Sequence, residues 1–442
     1  MRTTAAFLAL FLAPLAWGKW VTVWTGSVQG PYPVGNPLAQ PNLSAVFPSP
    51  EAGAKDQSFR MIVRPDLWGA QTRLRFSNAL GTKPVTFDGA FAGLQMSGAA
   101  LMPGTNRPVH FNGKTSVTVA PGESAWSDPV ALPFVKGAAT ELAGRKLAVS
   151  FHIAGESGPM TWHAKSLTSS YVTAPGAGAK GQDENESAFP FATTSWYFLD
   201  ALDMTASDDT RVIVAFGDSI TDGTASTLNG DDRWPDVLSR RLHSRWGNKI
   251  AIVNAGIGGN RVVGPTEYTP TNAFAGGPSS KMRLERDVLA LSGVWAVIWM
   301  EGINDLEYPN NSGQTESPES IQAGYKDGVA RMRAKFPGVK VIAGTLTSAL
   351  GSKSNGGRGT LEGDAKRKAI NEFLRHTDLF DGIADFDKAT LDARTGELRP
   401  EFVPDSTIGG PGDKLHPNRL GYQAMGNAVD LELFAEKPHA TH

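Results

Sequence analysis

Short runs of alternating apolar and polar residues dominate the first half of the chain. Between residues 20 and 205, runs such as TRLRF (72–76), SVTV (116–119) and KLAVSFHI (146–153) are separated by Gly, Pro, Asn and Asp. Period-two runs between turn-forming residues are typical of β-strands, and helical periodicity is almost absent here. The pattern predicts an all-β sandwich domain of jelly-roll type over residues 19–207.

After residue 208 the pattern changes to strands that alternate with amphipathic helices. It predicts strands at 211–216, 250–253, 294–300, 340–344 and 382–385, and helices at 233–246, 282–291, 317–336, 362–376 and 418–434. Ser317 and Pro318 supply the N-cap and first-turn residues that begin a helix. Residues 208–442 are therefore predicted to form an α/β domain with a doubly wound, parallel five-stranded sheet.

Several polar residues follow the predicted strands at their carboxyl ends. Ser219 follows the first strand, the glycine-rich segment 256–260 the second and Asn304 the third, while Asp413 and His416 precede the last helix. Ligands of open parallel sheets bind beyond this edge, where the loops converge. The strand pattern therefore predicts that these residues meet at one site.

Length and charge narrow the class of protein. A chain of 442 residues exceeds the size at which a single core usually stops growing, which agrees with two domains. The formal net charge of −2, from 42 basic and 44 acidic residues, provides no basic excess for a phosphate backbone. We therefore predict no nucleic-acid partner.

The first 18 residues have the composition of a secretory signal peptide. Arg2 is followed by an apolar stretch over residues 5–15 and by small residues up to Gly18, after which we predict cleavage. The apolar stretch is too short to span a bilayer, and no later stretch is long enough, so no membrane span is predicted. With no cysteine, the chain has neither a disulfide nor a thiol nucleophile. The prediction is a secreted or periplasmic protein.

The residues at the predicted sheet edge suit nucleophilic catalysis by serine. The Ser219 hydroxyl needs a neutral imidazole to accept its proton, and a carboxylate must orient that imidazole. Asp413 precedes His416 by three residues, which is close enough for a hydrogen bond within one loop. The backbone amides of Ser219 and Gly259 and the side-chain amide of Asn304 are candidate donors to an oxyanion, with Gly258 as the neighbouring alternative.

Four segments resemble, in order and spacing, the motifs of the SGNH hydrolase superfamily, also called GDSL-type esterases and lipases. They are GDSITDG around Ser219, NAGIGG ending at Gly259, GIND ending at Asp305 and DKLH ending at His416, and the resemblance covers roughly residues 211–434. It implies a flavodoxin-like fold without a cofactor. It also implies Ser219 as nucleophile, His416 as general base and acid, Asp413 as its partner, and Ser219, Gly259 and Asn304 as oxyanion-hole donors.

Longer segments are similar to one subgroup of that superfamily, the esterases associated with xylan degradation. DRWPDVL, NAGIGGNRV, EGIND and DKLHPNRLGYQAM carry this similarity, and FRMIVRP and RLRFSNALGTKPVTF resemble the segment that precedes the esterase domain there. The resemblance implies an esterase that removes short acyl groups, chiefly acetyl, from plant polysaccharide such as xylan. The substrate expected is thus a small ester or an acylated polysaccharide.

Other polar residues near the motifs have simpler interpretations. We expect Asp218, Asn254 and Asp305 to bond backbone amides and support the loops rather than act as acids or bases. Arg261 is expected to do similar work, with substrate contact as the alternative. No metal site is predicted, because zinc needs three or four ligands and no other histidine carries a matching motif. The glycine cluster lacks the P-loop and dinucleotide patterns, and GxSxG is absent.

Two competing functions remain open at this stage. The first is a lipase or arylesterase that acts on small lipid or aryl esters. The second is a carbohydrate-binding module with secondary esterase activity, in which tryptophans of the first half would stack on sugars. Core packing is the favoured interpretation for most of those tryptophans, with the pair Trp162 and His163 expected at the interface between the domains. They stand at positions 20, 24, 68, 126, 162 and 196.

Overall fold

Antiparallel ladders connect the strands of the first half, and parallel ladders connect those of the second. These elements belong to a computed structural model that describes residues 18–137, 139–307, 315–353 and 357–435. The predicted signal peptide lies outside the described residues except for Gly18. Within those ranges, no helix is both long enough and apolar enough to cross a bilayer.

The strands of the first half form three antiparallel sheets with the orders β1-β16-β4-β10, β14-β13-β3-β11-β5-β6 and β15-β12-β2. Their bounds are β1 Lys19–Thr25, β2 Gly30–Pro31, β3 Lys55–Val63, β4 Gln71–Ser77, β5 Val85–Ser97, β6 Ala100–Leu101, β7 Arg107–Pro108, β8 Ser116–Val119, β9 Ser124–Trp126, β10 Val130–Ala131, β11 Leu147–Glu156, β12 Thr161–His163, β13 Ser170–Val172, β14 Phe191–Thr193, β15 Trp196–Tyr197 and β16 Leu199–Ala206. Short 3₁₀-helical turns at Thr140–Leu142 and Glu186–Ala188 lie between the strands. The strand content agrees with an all-β first half; its jelly-roll connectivity and the boundary at residue 207 stay predictions.

Aromatic side chains fill the space between the two larger sheets. The ring of Phe76 on β4 lies 5.2 Å from that of Phe87 on β5 and 5.3 Å from that of Phe151 on β11. Four of the six tryptophans in question are buried in this half, with exposures of 7% or less at Trp24, Trp68, Trp162 and Trp196. The burial agrees with core packing rather than with an exposed sugar platform.

The second half is built on a parallel sheet with the order β18-β17-β19-β20-β21, as the alternating pattern predicts. Because the order reverses beside the first strand, the sheet is doubly wound in the flavodoxin-like manner. Its strands are β17 Arg211–Gly217, β18 Ile250–Gly256, β19 Val294–Met300, β20 Lys340–Gly344 and β21 Gly382–Ala384, and the helices are α1 Ser219–Asp222, α2 Trp234–Trp246, α3 Ser280–Leu284, α4 Pro318–Lys335, α5 Leu361–His376, α6 Phe386–Thr390 and α7 Arg419–Ala428.

Two helices depart from their predicted extents. The helix predicted over 282–291 is α3 followed by a π-helical turn, Glu285–Leu289, closed by a bond from the Ala290 amide to the Glu285 carbonyl. The helix predicted over 418–434 ends at Ala428. Arg241 on α2 donates to the carbonyls of Gly426 and Val429 at the end of this helix, and a separate turn at Leu431–Phe434 follows. The prediction failed there because the helix stop comes from a distant side chain.

A buried polar junction joins the two halves. The Thr22 amide on β1 donates to the Ser292 carbonyl at 3.0 Å, and the Ser292 amide donates to Thr22 Oγ1 at 2.8 Å. The fully buried Asp203 accepts from both hydroxyls, at 2.7 and 2.8 Å, and from Arg73. One hydrophobic cluster also continues from β1 and β16 into β17 and β18. The first half is therefore packed firmly against the sheet that carries the motifs.

A single buried guanidinium holds the carboxyl ends of two neighbouring strands. Arg283 on α3 donates to the carbonyls of Gly217 and Ala255, both at 2.8 Å, and to Asn260 Oδ1 at 2.7 Å. Its side chain is 0% exposed and lies 4.1 Å from the Phe216 ring. It thereby fixes the edge where β17 and β18 release their loops.

Replacing this arginine tests its contribution to stability. Arg283→Met should lower the free energy of unfolding by about 3–5 kcal/mol, because it leaves the buried carbonyls of Gly217 and Ala255 without this donor and removes a positive charge from beside Asp287. Urea unfolding followed by tryptophan fluorescence measures the effect. Arg394→Met, at a side chain that is 82% exposed, is the control and should change the free energy by no more than about 0.5 kcal/mol. Equal midpoints for the two variants would contradict the role of Arg283.

Candidate active site

Ser219 stands at the abrupt turn between β17 and α1. Gly217 ends the strand in a position where a Cβ would lie 2.2 Å from the Met300 carbonyl, so only glycine fits. Asp218 then caps α1 by accepting from the Ile220 amide at 3.0 Å. The turn places the Ser219 hydroxyl at the carboxyl edge of the sheet, where it is 4% exposed.

The structure brings Ser219, His416 and Asp413 into one line. Nε2 of His416 lies 2.8 Å from Ser219 Oγ, and its Nδ1 lies 2.6 Å from Asp413 Oδ2. The other oxygen of Asp413 accepts from the amides of Leu415 and His416, at 3.0 and 2.9 Å. These bonds fix the carboxylate, so that an Nδ1–H donated to it leaves Nε2 as the acceptor that faces the serine.

The electrostatic setting keeps the imidazole neutral and the carboxylate ionised. Burial lowers the pKa of His416; the Asp413 carboxylate opposes this, whereas the charges of Lys165 and Arg358 lower the pKa further. Burial works against ionisation of Asp413, but the hydrogen bond from the His416 side chain and those from the His416 and Leu415 amides hold the pKa of that carboxyl well below its usual value. The pair is thus set for proton acceptance at Nε2 near neutral pH.

The two candidate amides of the glycine-rich loop after β18, those of Gly258 and Gly259, differ in their surroundings. The Gly258 amide donates to Asp222 Oδ2 at 3.0 Å and is therefore engaged in holding the loop. The next residue, Gly259, has a φ of 84°, which favours glycine. With the Gly258 amide engaged, Gly259 stays the predicted donor of the two.

Asn304 lies on the adjacent loop, after β19, with both ends of its amide held. Its Nδ2 donates to the Asn260 carbonyl at 2.9 Å, and its Oδ1 accepts from an Nη1–H of Arg358. The side chain is 2% exposed. Arg358 thus fixes which end of the amide carries the donors. Sequence patterns did not indicate Arg358, which belongs to none of the four motifs.

The predicted supporting residues contact backbone groups as expected. Asn254 donates to the Thr221 carbonyl and accepts from the Gly256 amide, at 2.7 and 2.9 Å. The two oxygens of Asp305 accept from the amides of residues 262 and 263, both at 2.9 Å. Burial raises the pKa of Asp218 to about 8 and that of Asp305 to about 7. The guanidinium of Arg261 stacks over Phe274 at 4.7 Å.

Residues of the first half of the chain also contact the loops of this site. From the sequence, only Trp162 and His163 were expected at the interface between the domains. His163 Nε2 lies 3.1 Å from Asp222 Oδ1, and the buried Lys165 donates to Thr224 Oγ1 at 2.7 Å. Asp222 stands within the GDSITDG motif, so a signal for it existed. Lys165 belongs to no recognisable motif.

The segment that carries these residues also matches a known protein family. Residues 215–424 match the model of the GDSL-like Lipase/Acylhydrolase family. The match covers just under half of the chain, and it assigns this segment to the family rather than the whole chain. Its GDSL-like domain is therefore that of a carboxylic ester hydrolase. Among the described residues, no group of three or more His, Cys, Asp or Glu side chains is arranged to hold a metal ion.

Solved structures similar to the GDSL-like domain cover about half of this chain. A lipase/acylhydrolase from Enterococcus faecalis is 22% identical, with 50% of this chain and 93% of that chain covered and a TM-score of 0.34. A carbohydrate acetylesterase family member from Sinorhizobium meliloti is 16% identical, with 50% and 96% covered and a TM-score of 0.37. The acetyl xylan esterase AlAXEase is 17% identical, with 49% and 96% covered and a TM-score of 0.34. A search of curated proteins found no match.

The lowered pKa of His416 sets the expected pH dependence of ester hydrolysis by this GDSL-like domain. A base must be neutral, so kcat/KM should fall as the pH drops through a midpoint below the ordinary histidine value of 6.5. Lys165→Met removes a nearby positive charge and should move that midpoint to higher pH. Initial rates with p-nitrophenyl acetate at constant ionic strength measure both profiles.

Lys281→Met, at an exposed position, is the matched control and should leave the midpoint unchanged. A wild-type profile without an acid limb would contradict His416 as the base. If the midpoint does not move in Lys165→Met, then the charge of Lys165 does not lower the pKa of His416.

Proposed function

We propose that the protein is an exported serine esterase that hydrolyses short acyl esters, chiefly acetyl groups on a plant polysaccharide such as xylan. The observation that carries the proposal is the continuous line of hydrogen-bond distances from Asp413 through His416 to Ser219. A serine within 2.8 Å of an imidazole that is itself bonded to a carboxylate has the arrangement needed for acyl transfer.

In the first step, Ser219 Oγ attacks the ester carbonyl carbon while His416 Nε2 accepts the hydroxyl proton. The tetrahedral intermediate then breaks its bond to the alcohol oxygen, which takes the proton from His416 and leaves. The acyl group remains on Ser219. In the second step His416 accepts a proton from water, the resulting hydroxide equivalent attacks the acyl-enzyme, and the carboxylic acid is released as Ser219 recovers its proton.

The negative charge of each intermediate needs donors that already point at it. The backbone amides of Ser219 and Gly259 and the side-chain amide of Asn304 are the proposed set. Arg358 and the Asn260 carbonyl hold Asn304 from both ends of its amide, so little reorientation is required when the oxyanion forms.

The proposed substrate rests on sequence. The segments similar to xylan-associated esterases and the signal-peptide pattern support an exported enzyme that acts on acetylated polysaccharide. A nucleophile that is only 4% exposed also suits a small acyl group. Burial of most first-half tryptophans weighs against the carbohydrate-binding alternative, since buried rings offer no face to a sugar.

A lipase or arylesterase is the second candidate, and one observation favours it. Leu361 and Leu420 are 79% and 51% exposed, and they stand within four residues of Arg358 and His416 in the sequence. Exposed leucines next to the loops of the site would suit a longer acyl chain or a lipid surface.

The test is release of acyl groups from a substrate panel. We expect acetate release from acetylated xylan and p-nitrophenyl acetate, and much less product from p-nitrophenyl octanoate and triglyceride. Ser219→Ala should lose roughly 10⁴- to 10⁶-fold in kcat, whereas Ser244→Ala, an exposed control, should retain wild-type turnover. Full activity in Ser219→Ala would contradict Ser219 as the nucleophile. A preference for octanoyl over acetyl esters would favour the lipase alternative over an acetyl esterase.

Removal of the Asn304 amide tests the proposed oxyanion hole. Asn304→Ala should lower kcat by on the order of 10²- to 10³-fold with little change in KM, because the donor acts on charge that develops only in the transition state. Steady-state kinetics, with the urea midpoint as a check on folding, measure the effect. A kcat close to that of the wild type would exclude Asn304 from the hole.

A further inference from the structure

The peptide bond between Gly258 and Gly259 carries one of the proposed oxyanion donors. A trans peptide is planar, so the Gly258 carbonyl and the Gly259 N–H point in opposite directions. Glycine on both sides removes the Cβ atoms that would restrict rotation of this plane, and Gly259 already has a φ of 84°. Without an external constraint the plane is free to flip, and a flip would turn the donor away from the substrate.

That constraint comes from the first half of the chain. Nδ2 of Asn36 donates to the Gly258 carbonyl at 2.7 Å. A Cβ on Gly258 would lie only 2.7 Å from Asn36 Oδ1, so the absence of a side chain there admits this close approach. The hydrogen bond fixes the carbonyl and, through the planar peptide, the direction of the Gly259 N–H.

The orientation of Asn36 is itself determined. Its Oδ1 accepts from Nε2 of Gln29 at 3.2 Å, so Nδ2 is the end that faces Gly258. Gln29 is held in turn, because Nε2 also donates to the Ala275 carbonyl at 2.8 Å and Oε1 accepts from the Ala164 amide at 3.2 Å. Both side chains that connect the loop to the first half, Asn36 and Gln29, are therefore held by hydrogen bonds.

The preceding peptide is held from the other side. Asp222 accepts from the Gly258 amide at 3.0 Å and lies 3.1 Å from His163 Nε2, while His163 Nδ1 lies 2.7 Å from the Ser27 carbonyl. Gly258 is therefore fixed at both its N–H and its carbonyl, and both contacts lead into the first half.

We propose that Asn36 is a positioning residue for catalysis, which aims the Gly259 amide at the oxyanion by holding the Gly258 carbonyl. The inference rests on the proposed esterase function. It makes the β-sheet half a working part of the hydrolytic site, since this half supplies the residue that sets one donor of the oxyanion hole.

The test compares three variants of the full chain. Asn36→Ala removes the donor and its volume, and Asn36→Asp keeps the volume but places an acceptor against the Gly258 carbonyl. Asn106→Ala is the matched control, because Asn106 is similarly half-buried and also donates to backbone carbonyls, those of Gly181 and Gln182, within the first half. Readouts are kcat and KM for p-nitrophenyl acetate, and affinity for phenylboronic acid, whose adduct with Ser219 imitates the tetrahedral intermediate.

We expect both Asn36 variants to lose roughly 10-fold or more in kcat, up to the 10²- to 10³-fold cost of one lost donor. KM should stay within about two-fold, and boronate affinity should fall in parallel with kcat. Asn106→Ala should match the wild type. Near-wild-type kcat in Asn36→Asp would overturn the proposal, because a residue needed only for packing tolerates that change.

Failure of the proposed function gives a different result. If the wild type hydrolyses none of the esters and a fluorophosphonate does not label Ser219, the esterase proposal fails and this inference fails with it. If Ser219 is labelled equally fast in the wild type, Asn36→Asp and Asn106→Ala, the esterase stands and the role of Asn36 is refuted.

Discussion

The hydrogen bond between Ser219 and His416 joins two residues that are 197 positions apart in the chain. It forms because β17 and the loop before α7 end at the same edge of a parallel sheet, which is a property of the doubly wound topology. The fully buried Arg283 fixes that edge by binding the Gly217 carbonyl at the end of β17 and the Ala255 carbonyl near the end of β18. The geometry of the site thus depends on how the strand ends are held as much as on the reacting groups.

Much of this arrangement could be predicted from the chain. Strands buried on both faces read as continuous apolar runs, so 294–300 and 340–344 were located to the residue. The order of the four motifs then placed Ser219, Asn304 and His416 at one edge. The last helix was extended too far, because its stop comes from Arg241 on a different helix and leaves no local signal.

The contacts made by the first half escaped prediction for a similar reason. Asn36, His163 and Lys165 carry no motif, and their partners in the second half lie 59 or more positions away. Long-range polar contacts of this kind are determined by how two packed units meet. The composition change near residue 208 indicated where the fold class changes, but Asp203 and Thr22 show that the hydrogen-bond network and the core continue across it.

The base and the proposed positioning residue come from opposite ends of the polypeptide. Asn36 lies 222 positions before the carbonyl that it holds, and His416 enters near the other terminus. A nascent chain that has emerged only as far as the serine has neither a proton acceptor nor a completed sheet. We therefore expect acyl transfer to begin only after the segments that carry Asn36, Ser219 and His416 have all been synthesised and folded together.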